Sequence, residues 1–368
     1  MNFSPWSGEC NSYLKGEVSE IINHQWILAR TPREGLPHSD DFDWVSGQIP
    51  QVGANQMLTR TIYLSLDPYQ WGRRRSGIEL PGDVCHGRTV SQVVQSNMDE
   101  FREGDFVFNT NGWQEYGLTG EGVSHFGYMF PRQLDPSKAP ISTAIGAMGM
   151  LGLTAYSGMM IQCQPKMGET IIVSAASGGV GQVACQLAKI VGGRVVGIAS
   201  SDQKLDYLRN EVGVDECVSH LSESFKDELR ELCPDGCDVY FENVGGEVYE
   251  AVLPLLNAGS RICVCGLVSQ YGKTDSLDPR QVWDALGKPF FIKKNVQVHD
   301  LFVGNFVEKY QDEFLSKMTE YISSGLITYK EDLWEGLHAA PEAFTAMLTG
   351  GNFGKTIVCV SKDYSLGQ

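Results

Sequence analysis

The pattern of apolar and polar positions along this chain changes once, near residue 142. Before it, short β-like runs are separated by Pro, Gly, Asp and Asn clusters. They are QWILAR, QMLTRTIYLSL, GRTVSQVV, GDFVFNT and SHFGYMF. Such runs predict an irregular, mostly β unit. From Ser142, STAIGAMGMLGLTAYSGMMIQC predicts a helix rich in small residues that ends before QPKMGE. Strand and helix patterns then alternate: ETIIVSA with GQVACQLAKIVG, RVVGIAS with QKLDYLRNEVG, ECVSH with SFKDELRELC, DVYFENV with GEVYEAVLPLLNAG, and finally SRICVCGLV. Buried parallel strands are apolar and need crossover helices, so this alternation predicts a doubly wound parallel sheet. Beyond it, FVEKYQDEFLSKMTEYISSG predicts an amphipathic helix, and KTIVCV a last strand that returns to the first unit.

Length and composition narrow the picture. At 368 residues the chain exceeds one ordinary core and suits two domains with a cleft between them. With 42% hydrophobic and 20% charged residues it reads as a well-buried globular protein. A formal net charge of −16 opposes binding to nucleic acid or to an anionic membrane, which depends on clustered Lys and Arg. The one basic run, Arg73, Arg74 and Arg75, reads as a solvated loop. No stretch reaches the roughly 18 apolar residues of a spanning helix, and the N-terminus lacks export features, so the expectation is a cytoplasmic protein. The ten cysteines are scattered, several inside apolar runs, and read as reduced core residues.

Candidate chemistry begins where ETIIVSA runs into Ala176-Ser177-Gly178-Gly179-Val180-Gly181 and directly into helix. This is the context of a dinucleotide fingerprint, with Ala in place of its first Gly. Gly178 lets backbone approach a pyrophosphate, Gly181 permits close helix-to-strand packing, and the helix N-terminus supplies amide donors. The alternative is a merely tight β–α turn, which the flanking strands disfavour. RVVGIAS ends in Ser200-Ser201, where an NAD site places Asp or Glu for the ribose hydroxyls. Lys204 follows one helical step on, where an ammonium can pair with a 2′-phosphate, so NADPH is favoured over NADH. Asp202 is a counter-sign, and a plain surface lysine is the alternative for Lys204. No metal site is expected, since Cys85-His86 has no carboxylate beside it and Cys233/Cys237 and Cys263/Cys265 lack second halves. Seven unclustered histidines and no nucleophile elbow leave hydride chemistry on a nicotinamide as the expectation.

Longer blocks carry a resemblance: TIYLSLDPYQWGR, GWQEY, GMLGLTAYSGM, QPKMGETIIVSAASGGVGQVACQLAK, CPDGCDVYFENVGGEVYEAVLPLLNAGSRICVCGLVSQY and GGNFGKTIV. Over about residues 22 to 360 the chain resembles the zinc-free medium-chain dehydrogenase/reductase (MDR) family. The branch is that of prostaglandin reductases, alkenal double-bond reductases and bacterial curcumin reductases. The resemblance implies an α/β protein with a GroES-like β-rich catalytic domain, residues 1–141 and 311–368, of which 1–20 extend beyond the family start. It implies a Rossmann domain at 142–310 that binds NADPH, and a homodimer. It further implies reduction of the C=C bond of α,β-unsaturated ketones or aldehydes, hydride going to the β-carbon and the enolate oxygen being held by hydrogen bonds, without metal. Quinone reduction on the same scaffold, or a catalytically silent NADPH-binding redox sensor, stay open as alternatives.

Carried onto this sequence, the resemblance places Gly178, Gly179, Val180 and Gly181 in the pyrophosphate loop, and Ser200 and Lys204 at the 2′-phosphate. His220 stands where relatives often have a tyrosine against the adenosine. Asn243 lies near the cofactor, Asn352 of NFGK matches an amide ligand, and Cys265, Gly266, Leu267, Ser269 and Tyr271 belong to the loop beside the nicotinamide. Tyr271 is the first candidate for the enolate, because a phenol of ordinary pKa about 10 stays protonated and can donate; the alternative is an aromatic wall. Tyr69 in LDPY is the second candidate, with a structural role as its alternative. Two motifs depart from the family. Gly149-Met150-Leu151-Gly152 replaces Gly-Met-Pro-Gly, and Asp300-Leu301-Phe302-Val303 replaces Gly-Phe-Ile-Val, which puts Phe302 and Val303 on the nicotinamide and substrate wall. The N-terminal extension, with Pro5, Trp6 and Cys10, either covers the cleft or is a loose terminus.

Overall fold

The computed structural model describes residues 22–32, 35–123, 128–272 and 278–366; the N-terminal extension with Pro5, Trp6 and Cys10 lies outside them. Strand β1 (Ile22–Leu28) pairs antiparallel with β2 (Phe42–Gln48) as a separate two-stranded sheet. The first large sheet is built on the ten-residue β3 (Gln56–Ser65), followed by the short helix α1 (Tyr69–Arg75). Strands β4 (Thr89–Ser96), β5 (Phe106–Asn109), β6 (Tyr116–Gly120) and β7 (Arg132–Leu134) complete this part. β3 pairs antiparallel with β4 and β6, β4 with β5, and β5 with β7. The strand expected over SHFGYMF is not found at 128–130, its described part; the strand begins later, at Arg132. β2 gave no signal in the sequence because all its residues after Phe42 are at least partly exposed, which leaves no alternating apolar face.

The α/β part contains α2 (Met150–Tyr156), β8 (Thr170–Val173), α3 (Gly181–Ile190), β9 (Arg194–Ala199), α4 (Asp202–Tyr207) and β10 (Glu216–Ser219). It continues through α5 (Phe225–Leu232), β11 (Cys237–Glu242), α6 (Gly246–Val252), β12 (Leu256–Val264), α7 (Pro279–Lys294) and β13 (Gln297–Asp300). Its six strands are parallel in the order β10-β9-β8-β11-β12-β13, and β8 is buried at all four positions. This order grows outward from β8 in both directions, so the switch point lies between β8 and β11, where an open α/β sheet leaves a crevice at the carboxyl ends of its strands.

The helix expected from Ser142 begins only at Met150. Gly146 and Gly149 have non-helical backbone, and a Cβ on Gly149 would stand 2.2 Å from the Ala144 carbonyl oxygen. The chain crosses itself too closely there for a regular helix. After α2 it widens into a π-helical turn, Ser157–Cys163.

The C-terminal part runs through α8 (Gly304–Ser323), β14 (Glu331–Glu335), α9 (Ala340–Leu348) and β15 (Lys355–Cys359). β15 pairs antiparallel with β3, Ile357 facing Ser65, so KTIVCV does return to the first sheet. The expected boundary at 310/311 falls inside α8, a continuous helix whose Phe314 and Met318 enter the same core as β8 and α3. Burying each of these side chains stabilises that join by about 1.5–3 kcal/mol. Among the described residues no helix is long and apolar enough to cross a membrane, and the nine described cysteines are free thiols.

Candidate active-site cleft

A cleft of about 810 Å³ runs along the carboxyl ends of the parallel strands and onto the first sheet. At its centre β8 passes through Ala175, which takes a left-handed backbone (φ 47°), into the glycine loop and α3. A Cβ on Gly181 would lie 2.2 Å from the Ala175 carbonyl oxygen, and one on Gly179 would lie 2.4 Å from Leu151 Cδ2. Gly181, facing backbone, therefore excludes a side chain, whereas at Gly179 the Leu151 side chain would have to move aside. Gly178 meets only the Ala175 oxygen, at 3.2 Å, and forms a parallel bridge with Gly354 just before β15. Gly178 thus presents bare backbone to the cleft, and the loop is clamped by the C-terminal strand. Asn352 Nδ2 donates to the Gly354 carbonyl at 3.0 Å.

At one end of the cleft, Lys204 Nζ donates to Ser200 Oγ at 3.1 Å and to the Gly350 carbonyl at 2.8 Å. Burial pulls its pKa down, and Asp332 offsets this only in part. Asp202 is exposed and does not line the cleft, so the counter-sign read in the sequence points into solvent. His220 closes the corner from the end of β10, its Nδ1 2.7 Å from the Ala199 carbonyl oxygen.

The other end is shaped by a buried carboxylate. Glu242 Oε1 accepts from Ser174 Oγ (3.1 Å), Val244 N (2.8 Å) and Gly245 N (3.0 Å), and Trp283 Nε1 donates to Oε2 at 3.2 Å. These donors offset the cost of burying the group, whose pKa burial still raises. The carbonyl of Glu242 receives Cys265 N and Gly266 N at 2.9 and 3.1 Å. Asn243 Nδ2 donates to the Ser174 carbonyl at 2.7 Å. One residue thereby ties the ends of β8, β11 and β12 together. Burial, then Glu242, push the Cys265 thiol up to about 12, which keeps it from acting as a thiolate. Ser269 Oγ donates to the Val244 carbonyl at 2.6 Å, and Arg75 Nη1 to the Tyr271 carbonyl at 2.7 Å. Phe302 is 54% exposed and stands edge-on to Tyr128 with ring centres 5.7 Å apart, while Val303 is buried beside it.

Of the residues expected at the site, all but Leu267 line this cleft. Leu267 turns the other way, into the core around Val264 and Trp283, while Gly266 and Val268 on either side of it line the cleft. The arginine run is also corrected. Arg73–Arg75 end helix α1 and do not form a solvated loop. Arg74 is fully buried, its guanidinium 4.5 Å from the Trp113 ring centre and its Nε 3.1 Å from Glu79 Oε2. Arg73 lines the cleft.

Sequence reasoning missed a charged cluster under Tyr69. Asp67 is buried with Arg88 Nη2 at 2.6 Å from its Oδ2 and Lys355 Nζ at 3.2 Å from its Oδ1, and Ser65 Oγ donates at 2.6 Å. The Tyr69 hydroxyl lies 2.8 Å from His86 Nε2. Burial, reinforced by Arg73, Arg88 and Arg74, pulls His86 down to about 3, so the ring is neutral at ordinary pH and either accepts or donates according to tautomer. The available signal was a charge where the pattern is apolar, since Lys355 opens KTIVCV and Asp67 lies two residues past a strand buried over its last five positions. No group of three His, Cys, Asp or Glu side chains among the described residues is placed to hold a metal ion.

A family described as the N-terminal domain of oxidoreductase matches residues 24–125, and one described as zinc-binding dehydrogenase matches residues 179–320. The chain is 38% identical over 347 residues to the NADPH-dependent curcumin reductase of Escherichia coli (strain K12), covering 93% of this chain and 98% of that protein. It is 33% identical over 357 residues to the NADP(+)-dependent 2-alkenal reductase of Nicotiana tabacum, covering 94% and 100%. Among solved structures, that of CurA in complex with NADPH from Vibrio vulnificus superposes with a TM-score of 0.83 at 38% identity, over 92% of this chain and all of that one.

Proposed function

Since this chain belongs to the zinc-free branch of the MDR family that includes curcumin, alkenal and prostaglandin reductases, we propose that it is an NADPH-dependent reductase of α,β-unsaturated ketones or aldehydes. The observation that supports this reading is the continuity of one cleft, from the glycine loop and Lys204 to an end lined by Tyr69, Tyr128, Tyr271, Met150 and Phe302. The residues fit the cofactor. Gly178 offers backbone where a side chain would intrude on a pyrophosphate, and Lys204 with Ser200 forms a cationic, hydroxyl-bearing corner suited to a 2′-phosphate. Asn352 and Asn243 supply amides further along. When bound, NADPH supplies the hydride that the β-carbon of the enone receives.

The chain's own part is positioning and charge stabilisation. Burial, then Cys265, raise the pKa of Tyr271, so its phenol keeps its proton and donates a hydrogen bond to the developing enolate oxygen. Tyr69, fixed through His86, is the second candidate donor on the cleft. The apolar side chains Met150, Leu301 and Phe302 limit water around the reacting atoms.

The experiment is oxidation of NADPH, and separately NADH, with a panel of enals, enones and quinones, followed by product analysis. A saturated carbonyl formed preferentially with NADPH is expected, and a quinol as the only product would sink the reading. Lys204→Ala is expected to raise the KM for NADPH by roughly tenfold to a hundredfold, the range of a lost charge-assisted hydrogen bond, with the KM for NADH nearly unchanged. Equal weakening of both cofactors would remove Lys204 from phosphate recognition.

A further inference from the structure

A side cleft of about 120 Å³ adjoins the main one, and Tyr128 and Met150 line both. The Tyr128 hydroxyl and the Met150 sulfur, 3.3 Å apart, make a weak hydrogen bond on the divide. That pair is therefore the boundary between the two spaces. The side cleft is otherwise walled by Phe108 of β5, by Met148 and Gly149 before α2, and by Gln311 and Phe314 of α8.

Two guanidiniums belong to its lining, those of Arg88 and Arg132. The β5–β7 register sets Arg132 opposite Phe108, and its Cζ lies 5.6 Å from that ring's centre. Its Nη2 donates to the Met148 carbonyl at 3.3 Å, and no carboxylate stands within ion-pair distance of it among the described residues. Burial alone pulls its pKa down to about 10. Arg88 is fully buried; Asp67 faces its Nη2, while among the described residues its Nε and Nη1 have no hydrogen-bond partner. The carboxylate of Asp67 is already shared between Arg88 and Lys355, so it cannot also neutralise Arg132. A guanidinium drawn out of water without a counter-charge is costly, and the partner that its planar fork fits is a carboxylate.

We propose that the side cleft is a carboxylate subsite in which Arg132, with Arg88 and the Gln311 amide in the same lining, binds a carboxylate group. Two sources share this chemistry: the far end of an enone that bears an acid on its chain, or a small free carboxylate. The first source rests on the reductase reading, and the second does not.

The test on the wild-type protein compares a series of enones of increasing chain length that end in a carboxylate with their methyl esters. In parallel, the unfolding midpoint is measured without substrate in acetate against chloride at equal ionic strength. A kcat/KM for the acid exceeding that of the ester by roughly tenfold or more at a particular chain length, expressed in KM, assigns the substrate's own tail. That ratio is expected to fall to unity in Arg132→Gln and to be partly kept in Arg132→Lys, with near-UV circular dichroism confirming the native packing of both. Absence of an acid–ester preference, together with a rise in Tm specific to acetate that disappears in Arg132→Gln, assigns a free carboxylate. With neither effect in the wild type, or with either persisting undiminished in Arg132→Gln, the subsite is overturned. If neither the acids nor the esters are reduced, the reductase reading has failed, and the acetate measurement still decides the subsite.

Discussion

Tyr271→Phe is expected to lower kcat by roughly 10²–10³-fold, the range seen when one donor to a developing oxyanion is removed, while the affinity for NADPH stays within about twofold. The substitution is a clean one. The ring of Tyr271 packs against two cores at once, around Trp283 and around Trp113, so phenylalanine keeps its volume and place. The loop itself is held through main chain, by Arg75 on the Tyr271 carbonyl and by Cys265 N and Gly266 N on Glu242. What is lost is one hydroxyl. Because its pKa is raised, the wild-type phenol does not ionise below its ordinary value of about 10, so this residue should not limit the rate at neutral pH. Single-turnover rates with a simple enone, beside NADPH titrations by fluorescence, separate the two effects. An unchanged kcat would reduce Tyr271 to an aromatic wall and move attention to Tyr69.

The parts legible in the sequence were those governed by local rules. The parallel strands carry short buried apolar runs, Ile171–Val173 in β8 and Ile262–Val264 in β12, and Gly181 of the loop after β8 has no room for a side chain, so strand runs and the glycine spacing were both readable. Ser200 and Lys204 were readable from their place after the second strand, whereas His220, Asn243 and Asn352 came from the family resemblance; all five line one cleft. The misreadings have another origin. Three arginines in succession look solvated, yet Arg74 is enclosed by aromatic rings from Phe42, Trp113 and Phe344, which lie 32, 39 and 270 positions away in the chain. The onset of α2 was misjudged because the approach of Gly149 to Ala144 is a close crossing that small-residue composition does not reveal. Leu267 was assigned with its loop, although the direction of each side chain in a loop is set by packing and not by membership. The ion cluster at Asp67 joins a strand end, a second strand and the last strand, and no spacing rule brings those three together.

That cluster carries the largest expected loss of stability. Asp67→Ala leaves Arg88 and Lys355 buried without their shared carboxylate, and breaking such a set by removing one partner costs about 3–5 kcal/mol. Denaturant unfolding at pH 7 reads this directly, and a variant within about 1 kcal/mol of wild type would show that water reaches the site and replaces the carboxylate. The pH dependence provides a second check. Burial raises the carboxyl of Asp67, but Arg88 and then Lys355 outweigh it and hold the pKa at about 2, below the ordinary 3.8. A folded-state value below the unfolded one gives stability that is present above pH 4 and lost as the pH falls toward 2, about 2 kcal/mol for a difference of this size. For Lys355, burial lowers the pKa to about 8 from 10.5 despite Asp67. The folded state therefore binds fewer protons than the unfolded chain between pH 8 and 10.5, and this group's contribution to stability rises with pH in that window. The gap between wild type and Asp67→Ala should accordingly narrow on acidification from pH 4 to pH 2. A gap that stayed constant would mean that the carboxylate of Asp67 is not what holds the two cations in place.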